Sequence, residues 1–362
     1  MTTRHLLVSA ALAALLSLTA APATSLAAEL AEPEVVGAGG YSPLYAVDGG
    51  VYGISGGSLW RLDGSSPEFI TSGFSDVGQG VDFNGAFHLV SQDNSDPQFE
   101  SNVVRVLANG TVSTTLDLET GQILGGVRAL GATDSALFAS TWVSGGGVVR
   151  TSSDGLTWST FTNPSFFPST VTRLIGIGSL LYAQGSSTGP FQSGVFVWDG
   201  TEWTFVSTPG GITEIDRGDG RLLVGTSEGL YAVTGTTVTE LDGDAQNPRQ
   251  MAEFDGAVYY VDDSNQFKRV QDGVVTTPYP TLGVPQELLA TKTELYVTAD
   301  GATYRIGFAP DSGGSTPEQP ELADTGSNDL VPLIGGIAAG IVVLGSVLLI
   351  VRAVLARRST ND

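Results

Sequence analysis

Residues 258–277 read VYYVDDSNQFKRVQDGVVTT, in which three apolar segments are separated by polar residues and a turn signal. The segments 258–261, 267–270 and 274–277 are rich in Val, Tyr, Phe and Thr, which favour strands. Asp272-Gly273 favours a tight hairpin turn in which both central residues have positive φ. The stretch therefore predicts three consecutive antiparallel strands, and a short segment upstream supplies a fourth.

The marker of this unit, a strand followed by a Gly-containing turn, recurs along the chain. Its seven copies lie at residues 59–62, 103–106, 148–150, 196–198, 230–233, 267–270 and 302–306. Further strands are predicted after the first six copies, at residues 68–71, 112–118, 158–162, 203–207, 238–241 and 274–277. Four antiparallel strands repeated seven times are typical of a β-propeller. We therefore predict an all-β fold, a seven-bladed β-propeller at residues 33–309, with a β-sandwich or a barrel as the alternative.

The seventh unit has no outermost strand of its own. Residues 33–37, Pro-Glu-Val-Val-Gly, form an extended segment that belongs to no other unit. We predict that this segment pairs beside residues 303–306, because that pairing closes the ring and removes an unpaired sheet edge.

The N-terminus has the layout of a secretory signal peptide. Arg4 and His5 precede an uncharged apolar run at residues 6–18, which is too short to span a bilayer as a helix. Cleavage is predicted after Ala27 or Ala28, with Ala23 as a third choice. Residues 1–28 are therefore excluded from the fold.

The C-terminus has the layout of a membrane-spanning segment. Residues 330–351 are apolar and uncharged, and the basic tail 352–362 contains three arginines. Such a run is long enough for a transmembrane helix, and the arginines predict that the tail is cytoplasmic and the N-terminal domain extracellular. Residues 310–321 form a polar, Pro- and Gly-containing spacer between the domain and this segment.

The pentapeptide Leu322-Ala323-Asp324-Thr325-Gly326 precedes the apolar run. The order of pentapeptide, apolar helix and basic tail resembles the LPXTG cell-wall sorting signal of Gram-positive sortase substrates, in the Ala-containing form of actinobacteria. The resemblance implies that sortase attacks the Thr325 carbonyl, releases Gly326 onward and joins Thr325 to peptidoglycan. The protein is then a cell-wall-anchored surface protein. The alternative is a single-pass plasma-membrane protein that keeps residues 330–351 as its anchor.

Two segments resemble the Asp-box of sialidase-like propellers. They are residues 151–158, Thr-Ser-Ser-Asp-Gly-Leu-Thr-Trp, and the weaker 199–203, Asp-Gly-Thr-Glu-Trp. The resemblance implies a turn in which the Asp accepts backbone hydrogen bonds and the Trp packs between strands. Sialidase activity needs an arginine triad and a Tyr–Glu pair, which no local motif identifies. The recurring arginines of the marker strands are predicted to be structural: Arg61, Arg105, Arg150, Arg269 and Arg305.

Composition excludes several classes of function. The chain contains no cysteine, which excludes thiolate catalysis and zinc–cysteine sites. After removal of the signal peptide His88 is the only histidine, so multi-histidine metal sites are excluded and no cofactor is predicted. A net charge of −22 excludes nucleic acid as a partner.

Charged residues at broadly comparable positions of the predicted innermost strands form the candidate ligand site. They are Arg128, Arg173, Glu214, Glu253 and Glu287. In a propeller these strands surround the central channel, where a polar ligand such as a glycan or only water could lie. We therefore expect a non-catalytic surface module that binds an extracellular protein or carbohydrate. The alternative is a wall- or membrane-attached glycoside hydrolase of sialidase-like type.

Overall fold

A computed structural model describes residues 30–308, apart from short gaps. The gaps are residues 38, 48, 76, 93–100, 119, 123, 144–145, 162–167 and 188–192. Every regular element in the described part of the chain is a β-strand, and the strands form seven sheets, which are the blades of a propeller. The predicted all-β, seven-bladed β-propeller is thereby confirmed.

The strands of blades 1–4 follow chain order, except that β10 joins blade 3. Blade 1 contains β2 (Leu44–Val47), β3 (Gly50–Ser55), β4 (Ser58–Arg61) and β5 (Glu68–Ser72). Blade 2 contains β6 (Gly80–Phe83), β7 (Ala86–Gln92), β8 (Ser101–Val106) and β9 (Val112–Thr114). Blade 3 contains β10 (Leu116–Asp117), β11 (Val127–Ala132), β12 (Leu137–Val143), β13 (Gly146–Ser152) and β14 (Thr157–Thr160). Blade 4 contains β15 (Pro168–Ile177), β16 (Leu180–Ser187), β17 (Ser193–Trp198) and β18 (Trp203–Val206).

Blades 5–7 complete the ring, and the last blade takes one strand from the N-terminal end. Blade 5 contains β19 (Ile212–Arg217), β20 (Leu222–Thr226), β21 (Gly229–Thr234) and β22 (Thr237–Asp242). Blade 6 contains β23 (Arg249–Phe254), β24 (Ala257–Val261), β25 (Phe267–Gln271) and β26 (Val274–Thr276). Blade 7 contains β27 (Pro285–Ala290), β28 (Leu295–Ala299), β29 (Ala302–Ile306) and β1 (Glu34–Gly37). The innermost strand of each blade contacts the innermost strand of the next, in the order β2, β6, β11, β15, β19, β23 and β27. Because β27 also contacts β2, the ring is closed.

The N-terminal strand closes the last blade, as predicted from the unpaired segment 33–37. β1 pairs antiparallel with β29, with Glu34 opposite Arg305 and Val35 opposite Tyr304. The Arg305 guanidinium lies 2.7 Å from a Glu34 carboxylate oxygen. Upstream of β1, Leu30 forms an isolated bridge with Phe308. The two ends of the described chain therefore lie side by side and close the propeller without another subunit.

The ring has two faces that differ in their hairpins. In blade 7, Ala290, Leu295 and Ile306 lie opposite one another near the hairpin that joins the first and second strands. Ala299 and Ala302 flank the hairpin between the second and third strands at the other end of the blade. We name the face with the first kind of hairpin the lower face and the face with the second kind the upper face. Because Ile306 and the Leu30–Phe308 bridge lie at the lower end, both ends of the described chain lie at the lower face.

The core lies between neighbouring blades. Between blades 4 and 5, for example, the Tyr182, Val197, Ile215 and Val224 side chains form one buried cluster. Burying one such side chain contributes about 1.5–3 kcal/mol. Because every blade has such a neighbour on both sides, the second strands β20, β24 and β28 are buried along their whole length, whereas the outer strand β26 is exposed.

One predicted strand is divided between two blades. Residues 112–118 were expected to form a single outer strand, but β9 ends at Thr114 and β10 pairs parallel with β14 of the next blade. Thr115 is buried and its hydroxyl donates to the Val103 carbonyl at 3.2 Å, which holds the chain at blade 2. Leu118 N–H then donates to the Trp158 carbonyl at 2.8 Å. Blade 3 therefore has five strands, and its outer edge is covered.

Most of the marker turns are not the type I′ turns that the Asp-Gly pattern predicts. Of these marker turns, Asp272-Gly273 alone has positive φ at both central residues. At residues 154–155 only the glycine has positive φ, because the Asp154 carboxylate accepts the N–H groups of Leu156 and Thr157, both at 2.8 Å. Trp158 is fully buried after this turn. This is the turn role that the Asp-box resemblance implies.

Several predicted segments lie outside the described residues. These are the signal peptide with its cleavage sites at Ala27 and Ala28, the spacer 310–321, the pentapeptide 322–326, the apolar segment 330–351 and the tail 352–362. No helix in the described part of the chain is long and apolar enough to cross a membrane.

Candidate ligand site in the central channel

Three of the predicted site residues share one register position on the innermost strands. Arg173 lies opposite Gln184, Glu214 opposite Gly225, and Glu287 opposite Thr298, and each is the first paired residue after a bulge in its strand. A bulge changes the direction of the side chains that follow it. The bulges thus set three charged side chains at matching positions in blades 4, 5 and 7.

Arg173 is the centre of this cluster. Its Nη1 lies 2.9 Å from Glu214 Oε1, and its Nη2 lies 2.6 Å from Asp216 Oδ1. The two carboxylates belong to the next blade, so one guanidinium joins blade 4 to blade 5. Charge-assisted hydrogen bonds of this length are roughly twice as strong as neutral ones.

The second oxygen of each carboxylate binds the backbone of blade 6. Gln250 N–H donates to Glu214 Oε2 at 2.8 Å, and Met251 N–H donates to Asp216 Oδ2 at 3.1 Å. Gln250 has a φ of 48°, in the left-handed region that non-glycine residues rarely adopt. The local bulge thus turns two adjacent N–H groups toward the cluster.

Glu287 brings blade 7 and blade 1 into the same electrostatic group. Ser42 Oγ donates to its carboxylate at 3.4 Å, and the Leu44 backbone N–H also binds it. Burial raises the pKa of Glu287 to about 7, against the opposing effect of Arg173. Burial likewise raises the pKa of Asp216 to about 7. Arg173 therefore contacts two carboxylates and acts on a third, Glu287, at longer range, while burial raises the pKa of both Asp216 and Glu287.

The other two predicted residues lie elsewhere. Glu253 pairs with Val258, one position beyond Ala252, the first paired residue after the bulge of its strand, and its carboxylate lies 2.7 Å from Arg221 at the lower face. Arg128 is exposed and occupies the bulge of β11 itself, between Val127 and Ala129. The cluster therefore contains Arg173, Glu214 and Glu287, without Glu253.

Sequence reasoning missed two members of the channel region. Asp216 follows Glu214 by two residues and lies on the same side of the strand, so the period of two could have identified it. Gln79 precedes the first strand of blade 2, and its side chain donates to the Leu174 carbonyl at 3.1 Å. Its oxygen accepts Leu130 N–H at 3.2 Å, which links blade 2 to blades 3 and 4. No local pattern marks this glutamine.

The recurring arginines lie on the third strands, as part of the blades. Arg61 binds Asp63 at 2.7 Å, and Arg305 binds Glu34 at the same distance. Arg269 donates to the Tyr259 hydroxyl at 3.2 Å, and Arg150 donates to Thr160. These contacts support the structural role predicted for them. In the described part of the chain no group of three or more acidic, His or Cys side chains could hold a metal ion.

His88 is fully buried between blades 2 and 3. Its Nδ1 lies 3.1 Å from the Ala86 carbonyl oxygen, and its Nε2 lies 3.1 Å from the Gly155 carbonyl oxygen. A neutral imidazole donates to only one of them. Burial lowers the pKa of His88 to about 4 although both carbonyls favour the charged form, and Arg105 on the adjacent strand lowers it further. The residue is therefore a neutral bridge between blades at pH 7.

The titration of His88 is directly measurable, because it is the only histidine of residues 29–309. We expect its imidazole proton resonances to titrate near pH 4 and to stay constant between pH 8 and 6. Because the unfolded value is about 6.5, the unfolded chain binds the proton more tightly, so His88 lowers stability as pH falls from 6.5 to 4. A titration midpoint at or above 6.5 would contradict this account of the site.

Comparisons with known proteins show the fold and no family. No protein-family model matches the chain, and no curated protein matches it. Virginiamycin B lyase from Staphylococcus aureus is similar in structure, with a TM-score of 0.54 and 12% sequence identity over 78% of this chain and 100% of that chain. The extracellular domain of BT4673 from B. thetaiotaomicron has a TM-score of 0.53 and 11% identity over 77% of this chain. The match spans 39% of the BT4673 chain. Likeness at such low identity shows the β-propeller fold alone.

Proposed function

We propose that the protein is a non-catalytic binding module displayed at the bacterial cell surface, with its ligand site at the upper mouth of the channel. One observation carries the proposal. Both ends of the described chain lie at the lower face, whereas Glu214 and Glu287 of the charged cluster lie toward the upper face. Attachment through the C-terminus then leaves the upper face free for a ligand.

The position of the cluster follows from the strand register. Glu287 pairs with Thr298, one position from Ala299 at the upper hairpin. Ala290, where the same strand ends, lies at the lower hairpin. In blade 5, Glu214 pairs with Gly225, next to the pair Ile212–Thr226 that begins the sheet at its upper end. The Glu214 and Glu287 carboxylates are therefore closer to the upper mouth of the channel, whereas Asp216, which pairs with Leu223, lies one position from the lower end of its strand pair.

The chemistry of the cluster favours a polar ligand. Burial raises the pKa of Glu287 to about 7, and a carboxyl group that is protonated in this range donates a hydrogen bond as well as accepting one. Arg173 adds a fixed positive charge near it. A carbohydrate or a polar protein loop offers the matching hydroxyl, amide and carbonyl groups.

Anchoring through the sorting signal completes this proposal. Sortase would join Thr325 to peptidoglycan and remove residues from Gly326 onward, so the apolar segment 330–351 serves as a temporary stop in the membrane. The spacer 310–321 then connects the wall to the lower face. If residues 330–351 instead stay in the membrane as a single-pass anchor, attachment is still through the C-terminus, and the upper face is again free for a ligand.

The contacts of Arg173 favour binding over hydrolysis. A sialidase-like hydrolase needs three arginines available for the carboxylate of its substrate, but Arg173 already binds Glu214 and Asp216. A Tyr–Glu hydrogen bond does exist between Tyr296 and Glu294, at 2.7 Å, but it lies at the lower end of blade 7. These contacts give the hydrolase alternative no support.

A ligand screen tests the proposal. Because the ring is closed by its own ends, soluble residues 29–309 are suitable for a glycan array and a panel of extracellular proteins. We expect a ligand that binds the wild type and binds Glu287→Gln about tenfold more weakly, with Asp219→Asn at the lower face as the unaffected control. A sialidase assay should show no turnover. Equal binding by both variants, or hydrolysis, would refute the proposal.

A further inference from the structure

Blade 4 rises above blades 5–7 at the upper face. Its second strand, β16, has eight residues, whereas β20, β24 and β28 have five each. All four strands begin at the lower hairpin of their blade. Because a strand rises about 3.3 Å per residue, the additional residues raise blade 4 by about 10 Å. We name residues 168–172, 184–187 and 193–195, at the upper ends of β15, β16 and β17, the ledge.

The ledge is supported on the side of blade 3. The second strand of blade 3, β12, is also long, with seven residues, and its Ser140 hydroxyl donates to the Val171 carbonyl of β15 at 3.2 Å. Within the ledge, the Thr172 hydroxyl donates to the Gln184 carbonyl at 3.3 Å, across the bulge of β15. The ledge is therefore held from behind, and its opposite side stands above the shorter blade 5.

Three hydroxyl side chains lie side by side across the ledge, because Ser186 pairs with Thr170 of β15 and with Ser193 of β17. Residues that alternate along a strand share one side, so Ser186 lies on the same side of β16 as Tyr182. Tyr182 belongs to the buried cluster between blades 4 and 5, so the hydroxyl row faces blade 5. Thr170 and Ser186 are half-buried and Ser193 is exposed. Neighbouring strands place these residues about 4.8 Å apart.

The chain around this row carries almost no charge. Residues 155–198 contain one charged side chain, Arg173, in a protein with a net charge of −22. Arg173 pairs with Gln184, below the row, and its guanidinium already binds two carboxylates of blade 5. Hydroxyl groups exchange hydrogen bonds with water for hydrogen bonds with a ligand, and no unpaired charge is buried in the exchange. The row therefore suits an uncharged ligand that is rich in hydroxyl groups.

The floor below the row disfavours an anionic ligand. The upper hairpin of blade 5 contains Ser227 and Glu228, and both side chains are exposed. The Glu228 carboxylate is able to accept the hydroxyl groups of a sugar, whereas it repels an anionic polymer, as does the acidic domain as a whole. The spacing of the row is close to the length of one hexose unit in an extended chain, which favours a polysaccharide over a single sugar.

We propose that the ledge binds a neutral polysaccharide chain, which crosses Thr170, Ser186 and Ser193 above the upper hairpin of blade 5. This inference rests on the proposed binding function and names its class of ligand. Because β15 is the innermost strand, the end of the chain at Thr170 points toward the mouth of the channel, where Arg173 lies below it.

The test measures binding of neutral hexasaccharides of glucose, N-acetylglucosamine, mannose and galactose to residues 29–309 by calorimetry. Hexagalacturonate is the anionic match, and the monosaccharides test whether an extended chain is needed. We expect at least one neutral hexasaccharide to bind with a dissociation constant on the order of 0.1 mM, unaffected by added salt, and its monosaccharide to bind more than about tenfold more weakly. No binding of any neutral hexasaccharide at about 5 mM, or equal binding of hexagalacturonate or of the monosaccharide, would overturn the proposal.

Matched variants locate the chain on the ledge. Thr170→Val with Ser193→Ala removes two hydroxyl groups of the row, whereas Thr276→Val with Ser72→Ala removes two exposed hydroxyl groups on the outer strands of blades 6 and 1. We expect the first double variant to bind the hexasaccharide about tenfold more weakly and the second to bind it like the wild type. Unchanged binding by the first, or equal weakening by both, would overturn the ledge site.

The Glu287→Gln variant separates this inference from the proposed channel site. A hexasaccharide that is weakened by the ledge variant and not by Glu287→Gln would uphold the ledge and overturn the channel site. A ligand that is weakened by Glu287→Gln and not by the ledge variant would uphold the channel site and overturn the ledge.

Discussion

Replacing Gly176 by alanine should be among the most destabilising single substitutions in the ring. A Cβ at this position would lie 1.5 Å from the Ala132 carbonyl oxygen and 2.3 Å from its carbon, so the first strands of blades 3 and 4 would have to separate. Both contacts are to backbone, which no change of rotamer relieves. Overpacking of this kind costs about 3 kcal/mol or more. Urea denaturation of residues 29–309 should show a correspondingly lower midpoint.

Gly211 is the matched control, because nothing lies within 4 Å of its added Cβ. Gly211→Ala should be neutral or stabilise by about 0.5 kcal/mol through the unfolded chain. If Gly176→Ala and Gly211→Ala unfold at the same urea concentration, the close backbone contact between blades 3 and 4 does not exist.

Replacing Arg173 by alanine should have the second large effect, and this effect should depend on pH. The substitution leaves the buried carboxylates of Glu214, Asp216 and Glu287 without their cation, which costs about 3 kcal/mol at pH 8. At pH 5 the penalty should be smaller, because Asp216 and Glu287 already have raised pKa values and become neutral. The measurement is urea denaturation of wild type and variant at both pH values.

The sign of the wild-type pH dependence follows from the same groups. The folded pKa values of Asp216 and Glu287 lie near 7, whereas those of the unfolded chain are about 4. The folded state therefore binds these protons more tightly, and the stability they contribute below pH 4 is lost as pH rises through 7. Arg217→Ala, an exposed arginine on the first strand of blade 5, serves as the control and should unfold like the wild type at both pH values. A pH-independent penalty for Arg173→Ala would contradict the cluster.

The architecture was predictable because its signals are local and repeated. Each Asp-Gly or Asn-Gly turn lies between two apolar segments, and seven such units leave few alternatives to a ring. Closure by β1 was predictable for another reason, since the seventh unit lacked a strand and residues 33–37 lacked a partner. The seven-bladed ring and its closure by β1 both depend on strand pairing, which the strand pattern of a single sequence predicts.

The site was only partly predictable, because bulges displace the register. The sequence places Glu253 and Arg173 at broadly comparable positions, but β23 sets Glu253 opposite Val258 near the lower hairpin. Arg128 is displaced by one position because it lies inside a bulge. The two-residue pairing of β10 with β14 has no sequence pattern of its own, so the division of residues 112–118 was not foreseen.

The environment of His88 was also beyond sequence reasoning. The sequence places His88 between the apolar residues Phe87 and Leu89, as in a strand, but its second carbonyl partner, Gly155, comes from a turn 67 residues later. Contacts between blades of this kind depend on how sheets stack, which strand patterns do not encode.

Surface display is tested most directly by a single-cysteine experiment in the native host. The chain has no cysteine, so Glu228→Cys places its only thiol on the exposed upper hairpin of blade 5. We predict that a membrane-impermeant maleimide labels intact cells that carry this variant and not those that carry the wild type. Muramidase digestion should release labelled protein whose C-terminal peptide ends at Thr325 joined to a peptidoglycan fragment. Labelling only after permeabilisation, or recovery of the chain through Asp362 from membranes alone, would contradict the account.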